Sequence, residues 1–478
     1  ILVLMLIVSG MAVDFMRFES RRAELQGVVD RAVLAAADLD QARDPADVVT
    51  DYFDKSGMLG QMKGEPVITP GTDYRQVTAN GELVLNTFFL KLIGMDQLIA
   101  TASSTAIEGV GDIEISLVLD ISGSMDFELV NDDGSTPTMV DPDTGNTRAV
   151  RRIDVLQEAA GNFVTTLLTA ANADKISISL IPYSHQVNAG ELMFDNLNTN
   201  DSHGFSHCIE FAATDFNSTT FDVNDTYDQT MHYQYNPTYD QWGNLAADIT
   251  EPICPFYDYE AIVPLSQNAG LLTGIIDQYE PRAGTSIFLG LKWGVTMLDP
   301  SIQPVLAGMP NGTIDDAFDS RPAPYPADNA VGDTKKYIVL MTDGQNSNTS
   351  HLQNWAYDTP SEVAHWANEN FWHFISTDTG WDASDNWLTP VYTPELGDGY
   401  MSSMCDAAKA PGRDIIIYTI SLGSMGDSPE EVAADEHGWT QMRNCASSPS
   451  FFFKTSGEEL VQIFEDIADQ ITDLRLTQ

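Results

Sequence analysis

Aliphatic runs alternate with amphipathic helical patterns from about residue 111 to the end of the chain. The runs are uninterrupted by charge over most of their length, which is typical of strands buried on both faces of a parallel sheet. Predicted strands cover 113–119, 175–182, 335–341 and 414–421, and predicted helices cover 153–168, 271–279 and 458–471. This alternation predicts an α/β domain over 111–478, built on a doubly wound, mostly parallel sheet.

Four long insertions separate these elements. They cover 126–150, 183–263, 300–334 and 346–402, and they are rich in Asn, Asp, Tyr, Trp and Pro. Loops of this length are usually either functional or disordered. Their tryptophan and tyrosine content favours order over much of their length.

The N-terminal stretch is apolar over residues 1–13 and charged beyond Asp14. A helix of 13 residues is about 20 Å long, short of the ~30 Å hydrocarbon core of a bilayer. The chain also begins with Ile rather than Met. We therefore expect a truncated transmembrane helix, with the remnant of a signal-peptide apolar region as the alternative. Alternating charges up to about Ala37 predict that the helix continues as a solvated stalk, giving a first segment of 1–45.

Residues 46–110 predict a small α+β module between the stalk and the α/β domain. Short strands are expected at 67–68, 74–77 and 83–85, separated by Pro, Gly and Asn turns. A buried helix at 87–93 and a closing strand at 98–107 would complete it. The module carries no recognisable chemistry, which favours a spacer or packing role.

The chain is strongly acidic. It has 70 acidic and 23 basic residues, for a formal net charge of -47. Such a surface repels nucleic acid, so nucleic-acid binding is excluded as a function. Cation binding and solubility in a salty medium remain as explanations.

The four cysteines fall into two pairs by region, Cys208 with Cys254 and Cys405 with Cys445. No Cys-x-x-Cys pair is present, so zinc or thioredoxin-like chemistry has no support. Two disulfides in an oxidising compartment are one interpretation, and four reduced, buried thiols are the other. The arginines that follow the apolar segment would favour a cytoplasmic location by the positive-inside rule. We give the cysteines more weight and expect the main domain to be periplasmic or extracellular.

Three polar loops are predicted at one end of the sheet. The first strand ends in Asp-Ile-Ser-Gly-Ser at 120–124, the third ends in Thr-Asp-Gly at 342–344, and Ala-Gly-Thr-Ser at 283–286 precedes a helix that begins near Ile287. One carboxylate and two hydroxyls at i, i+2 and i+4 can face the same side of a loop, and such oxygens suit a small divalent cation. Taken singly, Thr285 is equally explained as a helix N-cap, and Asp343-Gly344 as a turn.

Together these loops resemble the von Willebrand factor type A domain with its metal-ion-dependent adhesion site. The resemblance covers about 111–478. It implies that Ser122, Ser124 and Thr285 offer hydroxyls to the metal, while Asp120 and Asp343 act directly or through bound water. It also implies Mg²⁺, or Mn²⁺ or Ca²⁺, with an open position for a carboxylate of a partner protein.

A second resemblance covers the whole chain. Val13-Asp14, Leu-Gln-Gly-Val-Val-Asp-Arg-Ala at 25–32, Leu-Lys-Trp-Gly at 291–294 and Asn-Cys-Ala-Ser at 444–447 are similar to TadE/TadG-like pilus-assembly proteins of bacterial tight-adherence systems. The resemblance implies a cell-envelope protein in which one N-terminal membrane helix carries an exported type A head. Its partner would be a pilus or surface component.

Another loop offers a possible second cation site. Asp141, Asp143 and Asn146 alternate around a Gly turn, as in short Ca²⁺-binding loops, although a solvated acidic loop explains them as well. No Gly-x-Ser-x-Gly, His-Glu-x-x-His or phosphate-binding loop is present, and nothing pairs a nucleophile with a base. The sequence therefore predicts a non-enzymatic, metal-dependent adhesion or assembly protein. The alternative is a structural, minor pilin-like subunit whose metal only stabilises the head domain.

Overall fold

The fold is described from a computed structural model of the chain. It describes residues 2–476 except 39–40, 42, 71–73, 110, 132, 142–143, 173, 240–241, 326–333, 380–385 and 424–428. Two compact units are present: the first contains the helices and sheet of residues 2–109, and the second contains the elements between 112 and 470.

The first unit is a long helix packed on a three-stranded antiparallel sheet. Its elements are α1 (Leu2–Ala37), α2 (Pro45–Lys55), β1 (Val67–Pro70), β2 (Tyr74–Asn86) and β3 (Gln97–Gly109). Strands β2 and β3 pair without interruption from Tyr74 opposite Gly109 to Asn86 opposite Gln97. Their shared core is mostly aliphatic, with Leu25 and Val29 of α1 buried in one cluster with Val77 and Ala79 of β2.

The hairpin differs from the sequence-based prediction in two respects. The expected strands at 74–77 and 83–85 form one strand, because Gly81 lies within it and allows α1 to approach: a Cβ there would lie 2.9 Å from a methyl carbon of Leu25. The expected buried helix at 87–93 is instead a single 3-10 turn, Leu90–Ile93, of which only Leu90 is buried. Within the described part of the chain, no helix combines the length and the apolarity needed to cross a bilayer.

The second unit is built on a six-stranded sheet. Its strands are β4 (Ile113–Asp120), β5 (Ile176–Tyr183), β6 (Val263–Ser266), β7 (Lys335–Thr342), β8 (Ile416–Leu422) and β9 (Phe452–Thr455). They lie in the order β6-β5-β4-β7-β8-β9, and only β6 is antiparallel to its neighbour. The predicted α/β class with a mostly parallel sheet is confirmed. All side chains of β4 and β5 are buried, which explains why most of their positions are Ile, Leu, Val or Ser, and the buried Glu114 of β4 pairs with Lys336.

Six helices accompany this sheet: α3 (Arg152–Leu167), α4 (Ala269–Ile276), α5 (Ile287–Thr296), α6 (Pro394–Lys409), α7 (Pro429–Cys445) and α8 (Leu460–Leu476). Every residue of α5 is buried. Two glycines let it lie flush on the sheet, since a Cβ at Gly290 or Gly294 would come within 2.6 Å of Tyr183 or Val118, respectively. This close contact fixes the start of α5, and with it the loop that contains Thr285.

Shorter elements fill the insertions. They are the ribbons Thr138–Val140 with Thr147–Ala149, Thr199–Asn200 with Tyr227–Asp228 and Thr349–Leu352 with Leu388–Tyr392, and the helices Glu191–Phe194, Gln303–Gly308, Pro360–Trp366 and Phe371–Phe374. A second apolar core orders part of them, with Tyr233, Trp366 and Phe371 buried together.

Both predicted cysteine pairs are disulfides. Cys208 and Cys254 join two parts of one insertion with their Cα atoms 5.8 Å apart, and Cys405 and Cys445 join α6 to α7 with their Cα atoms 5.2 Å apart. All four cysteines of the chain are thereby paired.

Candidate functional site

The site begins at the C-terminal end of β4, where Asp120 is fully buried. One carboxylate oxygen accepts the backbone N–H of Ser122 at 2.8 Å, and the other accepts the hydroxyl of Thr342 at 2.8 Å. The first bond tightens the turn after β4, and the second joins it to the end of the neighbouring strand β7. Asp120 therefore holds the two loops in a fixed relation.

The two serines of the turn lie on the same side of it, as the sequence predicts. The hydroxyl oxygens of Ser122 and Ser124 are 3.1 Å apart, and the Ser124 hydroxyl donates to Asp343 at 2.6 Å. Neighbouring ligands of an octahedral Mg²⁺ with bonds of 2.0–2.1 Å are about 2.9 Å apart. The observed oxygen spacings are thus close to those that a small cation requires.

Thr285 lies in a loop that packs directly against the serine turn. Gly123 donates its N–H to the carbonyl of Ala283 at 3.0 Å, and Arg282 donates its N–H to the carbonyl of Ile121 at 2.9 Å. A Cβ at position 123 would meet the Ala283 carbonyl at 3.0 Å, so the close approach favours glycine there. Thr285 itself is buried.

Thr285 is not the N-cap residue of helix α5. Helix α5 begins at Ile287, and its N-cap position is Ser286, whose side chain makes no capping hydrogen bond. The first N–H of the helix, on Ile287, is instead satisfied by the side-chain oxygen of Asn346 at 2.8 Å. The Thr285 hydroxyl is therefore not committed to capping.

Two buried carboxylates give the site its electrostatic character. Burial, together with the nearby charge of Asp343, raises the pKa of Asp120 to about 7. Burial also raises the pKa of Asp343, against the opposing effect of the Arg152 guanidinium, which donates to it at 2.7 Å. Two buried acidic groups thus interact with each other while Arg152 pairs with Asp343, and a bound cation would stabilise both carboxylates in their ionised form.

Arg152 is the feature that the sequence analysis missed. It is the first residue of α3 and lies 191 positions before Asp343, and nothing in its local sequence distinguishes it from Arg151 beside it. Thr342 belongs to the Thr-Asp-Gly motif, but its hydrogen bond to Asp120 requires β4 and β7 to be neighbouring strands, and the local sequence gives no sign of that pairing.

The donor set suits a hard cation rather than a soft transition metal. In the described ranges, no three His, Cys, Asp or Glu side chains are grouped so that they could hold a metal ion. A cation at this site would instead depend on serine and threonine hydroxyls with two carboxylates, the oxygen chemistry that Mg²⁺ and Ca²⁺ accept.

The second candidate loop is a turn between the strands Thr138–Val140 and Thr147–Ala149. The two carboxylate oxygens of Asp141 accept the Thr144 N–H at 2.8 Å and the Arg148 guanidinium at 3.1 Å. Asn146 accepts the Asp141 N–H through its backbone carbonyl at 2.8 Å. Asp143 lies outside the described residues, so calcium binding at this loop stays a prediction.

Comparison with known protein families gives a match for the N-terminal segment of the chain. Residues 1–39 match the family model described as putative Flp pilus-assembly TadE/G-like. This segment is similar to TadE/G-like proteins. The match confirms the resemblance predicted from the motifs near Val13-Asp14 and 25–32. It ends at residue 39 and does not extend into the α/β domain. Among curated proteins, no sequence matches significantly.

Solved structures with similarity to the chain include pilus adhesins. SpaC of Lactobacillus rhamnosus GG is 13% identical, with a TM-score of 0.34 over 86% of this chain and 34% of SpaC. The von Willebrand factor domain of the type V pili tip protein Mfa5 from Porphyromonas gingivalis is 13% identical, with a TM-score of 0.35 over 77% of this chain and 97% of that domain. RrgA of Streptococcus pneumoniae is 10% identical, with a TM-score of 0.36 over 86% of this chain and 49% of RrgA. The chain thus spans only about a third of SpaC and half of RrgA.

Proposed function

We propose that this chain is a non-enzymatic, metal-dependent adhesion or assembly protein of a Tad-type pilus or surface-attachment system. The observation that carries the proposal is the convergence of Asp120, Ser122, Ser124 and Asp343 at the C-terminal edge of the parallel sheet, with the Thr285 loop packed on the same turn. Such edges are where open α/β sheets bind their ligands.

Ser122, Ser124 and Thr285 would hold the cation through their hydroxyls, and Asp120 and Asp343 would act directly or through water. A cation with mainly neutral ligands would supply an electrophilic position for a carboxylate of the partner. The protein's own contribution is rigidity: the bonds from Asp120 to Ser122 and Thr342 keep the hydroxyls in place before the partner arrives. We propose Mg²⁺ as the resident ion, with Mn²⁺ or Ca²⁺ as substitutes.

The envelope location is supported by two independent features. The TadE/G-like segment connects the chain to pilus assembly, and the two disulfides fit an oxidising compartment outside the cytoplasm. In this proposal the uncharged start of α1 attaches the protein to a membrane, and the α/β domain faces the periplasm or the exterior. The partner would be a pilus or surface component that presents an Asp or Glu side chain.

The alternative function is structural. The length of α1 and its docking on the hairpin sheet would also serve a minor pilin-like subunit that packs through its N-terminal helix, with the cation only stabilising the α/β domain. The two functions predict different responses to metal removal.

Capture of partner proteins from an envelope extract distinguishes the adhesive function from the structural one. We expect the full chain to retain its main partner in Mg²⁺ and to lose it with a chelator and in Asp120→Asn, which keeps the size and the acceptor of the turn. Asp201→Ala, which removes an exposed carboxylate of the same charge, is the matched control and should bind normally. Unchanged capture in all conditions, with a lower melting temperature in the chelator, would support the structural alternative.

A further inference from the structure

The tip of the β2–β3 hairpin exposes a group of large apolar side chains. Phe88 is 62% exposed, Leu92 66% and Ile93 55%, and Met95 is also exposed. Phe15 and Met16 of α1 add to the apolar surface of the same unit. A soluble domain seldom leaves such a group uncovered without an interaction that requires it.

The tip is built rigidly onto α1. Asp14 is almost fully buried, and its carboxylate accepts the backbone N–H groups of Phe88, Phe89 and Leu90 at 2.7–3.1 Å. The Phe89 ring covers Gly10, where an added Cβ would lie 2.3 Å from the ring carbons. The tip is therefore fixed beside residues 10–14, where the uncharged start of α1 gives way to its charged part.

Most backbone N–H groups of the tip are bonded internally, and those of Leu92, Gly94 and Met95 donate to tip carbonyls at 3.0–3.2 Å. Besides the three N–H groups that Asp14 accepts, the Thr87 hydroxyl donates to the Met95 carbonyl at 2.6 Å, and the Thr87 N–H donates to the Asp96 carbonyl at 3.0 Å. A loop that enters the boundary of a bilayer must leave few peptide groups unpaired, because lipid offers them no partner. Six of the eight N–H groups of residues 88–95 meet that requirement.

Two basic side chains, Lys91 and Arg17, lie at the rim of the tip, although the chain as a whole carries a net charge of -47. Arg17 also pairs with the buried Asp14 at 3.6 Å, and the acidic side chain exposed at the rim is Asp96. Lys91 is exposed within the tip, and the Arg17 guanidinium lies 4.2 Å from the centre of the Phe88 ring. Aromatic and aliphatic side chains bordered by Lys and Arg are typical of segments that lie in the headgroup region of an anionic membrane.

We propose that residues 88–95 form a membrane-contact loop that inserts into the lipid interface beside α1. The loop would give the first unit a second point of attachment and set its orientation on the bilayer. This inference deepens the proposed envelope location, and it is independent of the proposed cation site in the second unit.

The test uses the full chain with one cysteine added, because the native cysteines are all in disulfides and leave a new thiol to be labelled alone. The variant Leu92→Cys is labelled with an environment-sensitive fluorophore. The control is Val140→Cys with the same label, since Val140 lies in the other unit and its exposed fraction of 65% matches the 66% of Leu92. With phosphatidylethanolamine–phosphatidylglycerol vesicles, we expect a blue shift and quenching by lipid-borne spin labels at position 92 only. Chelator should not change this result, so failure of the metal proposal would leave it intact.

A second variant measures the contribution of the loop. Replacing Leu92 and Ile93 together by Ser should weaken vesicle binding by about tenfold or more, since two exposed aliphatic side chains lose their burial in lipid. Replacement of Val140 by Ser should not weaken it. Three outcomes would each overturn the proposal. The protein could fail to bind vesicles, it could bind them while the label at position 92 remains unquenched, or it could form a loop-dependent dimer in solution with no lipid signal.

Discussion

Arg152 offers the sharpest test of the electrostatics of the site. Its guanidinium donates to Asp343 at 2.7 Å, and it also lies 5.6 Å from the centre of the Phe127 ring. Arg152→Met keeps most of the apolar stem and removes the charge. Asp343 then stays buried beside Asp120 without a cationic partner.

The expected cost follows from that geometry. Breaking a buried ion pair by removing one partner typically lowers the unfolding free energy by about 3–5 kcal/mol. The Asp343 side chain is fully buried, and that of Arg152 is 20% exposed, so we expect about 3 kcal/mol, at the lower end. A cation that binds near Asp343 would replace the lost charge. Mg²⁺ at about a hundredfold its dissociation constant stabilises a one-site protein by about 2.7 kcal/mol, and a tenfold gain in affinity adds about 1.4 kcal/mol.

Urea unfolding in chelator and in Mg²⁺ measures both effects. Arg152→Met should be less stable than the unsubstituted protein in chelator and should gain more from Mg²⁺. Arg321→Met is the control, because Arg321 pairs with Asp112 and Glu114 at the N-terminal end of β4, opposite the end that carries Asp120. It should be destabilised equally in both solutions. An identical Mg²⁺ increment for Arg152→Met and the unsubstituted protein would refute the idea that Arg152 and a cation share Asp343.

Three further predictions concern the stability of the second unit. Burial lowers the pKa of His232 from 6.5 to about 4, so the unfolded state binds more protons than the folded state between these pH values. The unfolding free energy should therefore decrease as the pH drops from about 6.5 to 4, and denaturant titrations should show a smaller decrease for His232→Gln. Burial lowers the pKa of Lys292 from 10.5 to about 8. As the pH is raised from about 8 to 10.5, Lys292 should therefore add up to about 3 kcal/mol to the unfolding free energy, and urea unfolding of Lys292→Met should lack that increase. Replacing Cys405 and Cys445 together by Ser opens a link with a sequence separation of 40 and should lower the unfolding free energy by about 2–4 kcal/mol, with an unchanged melting temperature as the contrary result.

The sequence predicts the buried centre of the fold well, for a physical reason. Strands such as β4 and β5 are buried on both faces, so most of their positions are apolar or small, and the run is visible without any knowledge of neighbours. The edge strands β6 and β9 are four residues long and carry no such run, and they were not predicted. Helices α6 and α7 were also missed; α6 begins inside a segment that was assigned to an insertion.

The site shows the same division between local and long-range information. Asp120, Ser122 and Ser124 lie on one turn, and a spacing of two residues is enough to predict that they share a face. The contact between Ser124 and Asp343 joins residues 219 positions apart, and it was predicted only because parallel strands end at the same edge. The partnership of Arg152 with Asp343 has no comparable rule, since it depends on where α3 begins relative to β7.

The hairpin of the first unit shows how a turn signal can mislead. The sequence Ala-Asn-Gly at 79–81 is typical of a reversal, yet it lies within the continuous strand β2. The glycine is needed there for contact with Leu25 of α1 rather than for a turn. Long-range packing thus assigns a different role to a residue whose local preference is clear.

Calorimetric titration of Mg²⁺ into the full chain tests the central claim most directly. We predict binding of one ion to the unsubstituted protein, and loss of that binding in Asp120→Asn and in Ser122→Ala, with both variants folded by circular dichroism and Asp201→Ala unaffected. Binding of the same strength in all four proteins, or no binding by the unsubstituted chain to Mg²⁺, Mn²⁺ or Ca²⁺, would contradict the account.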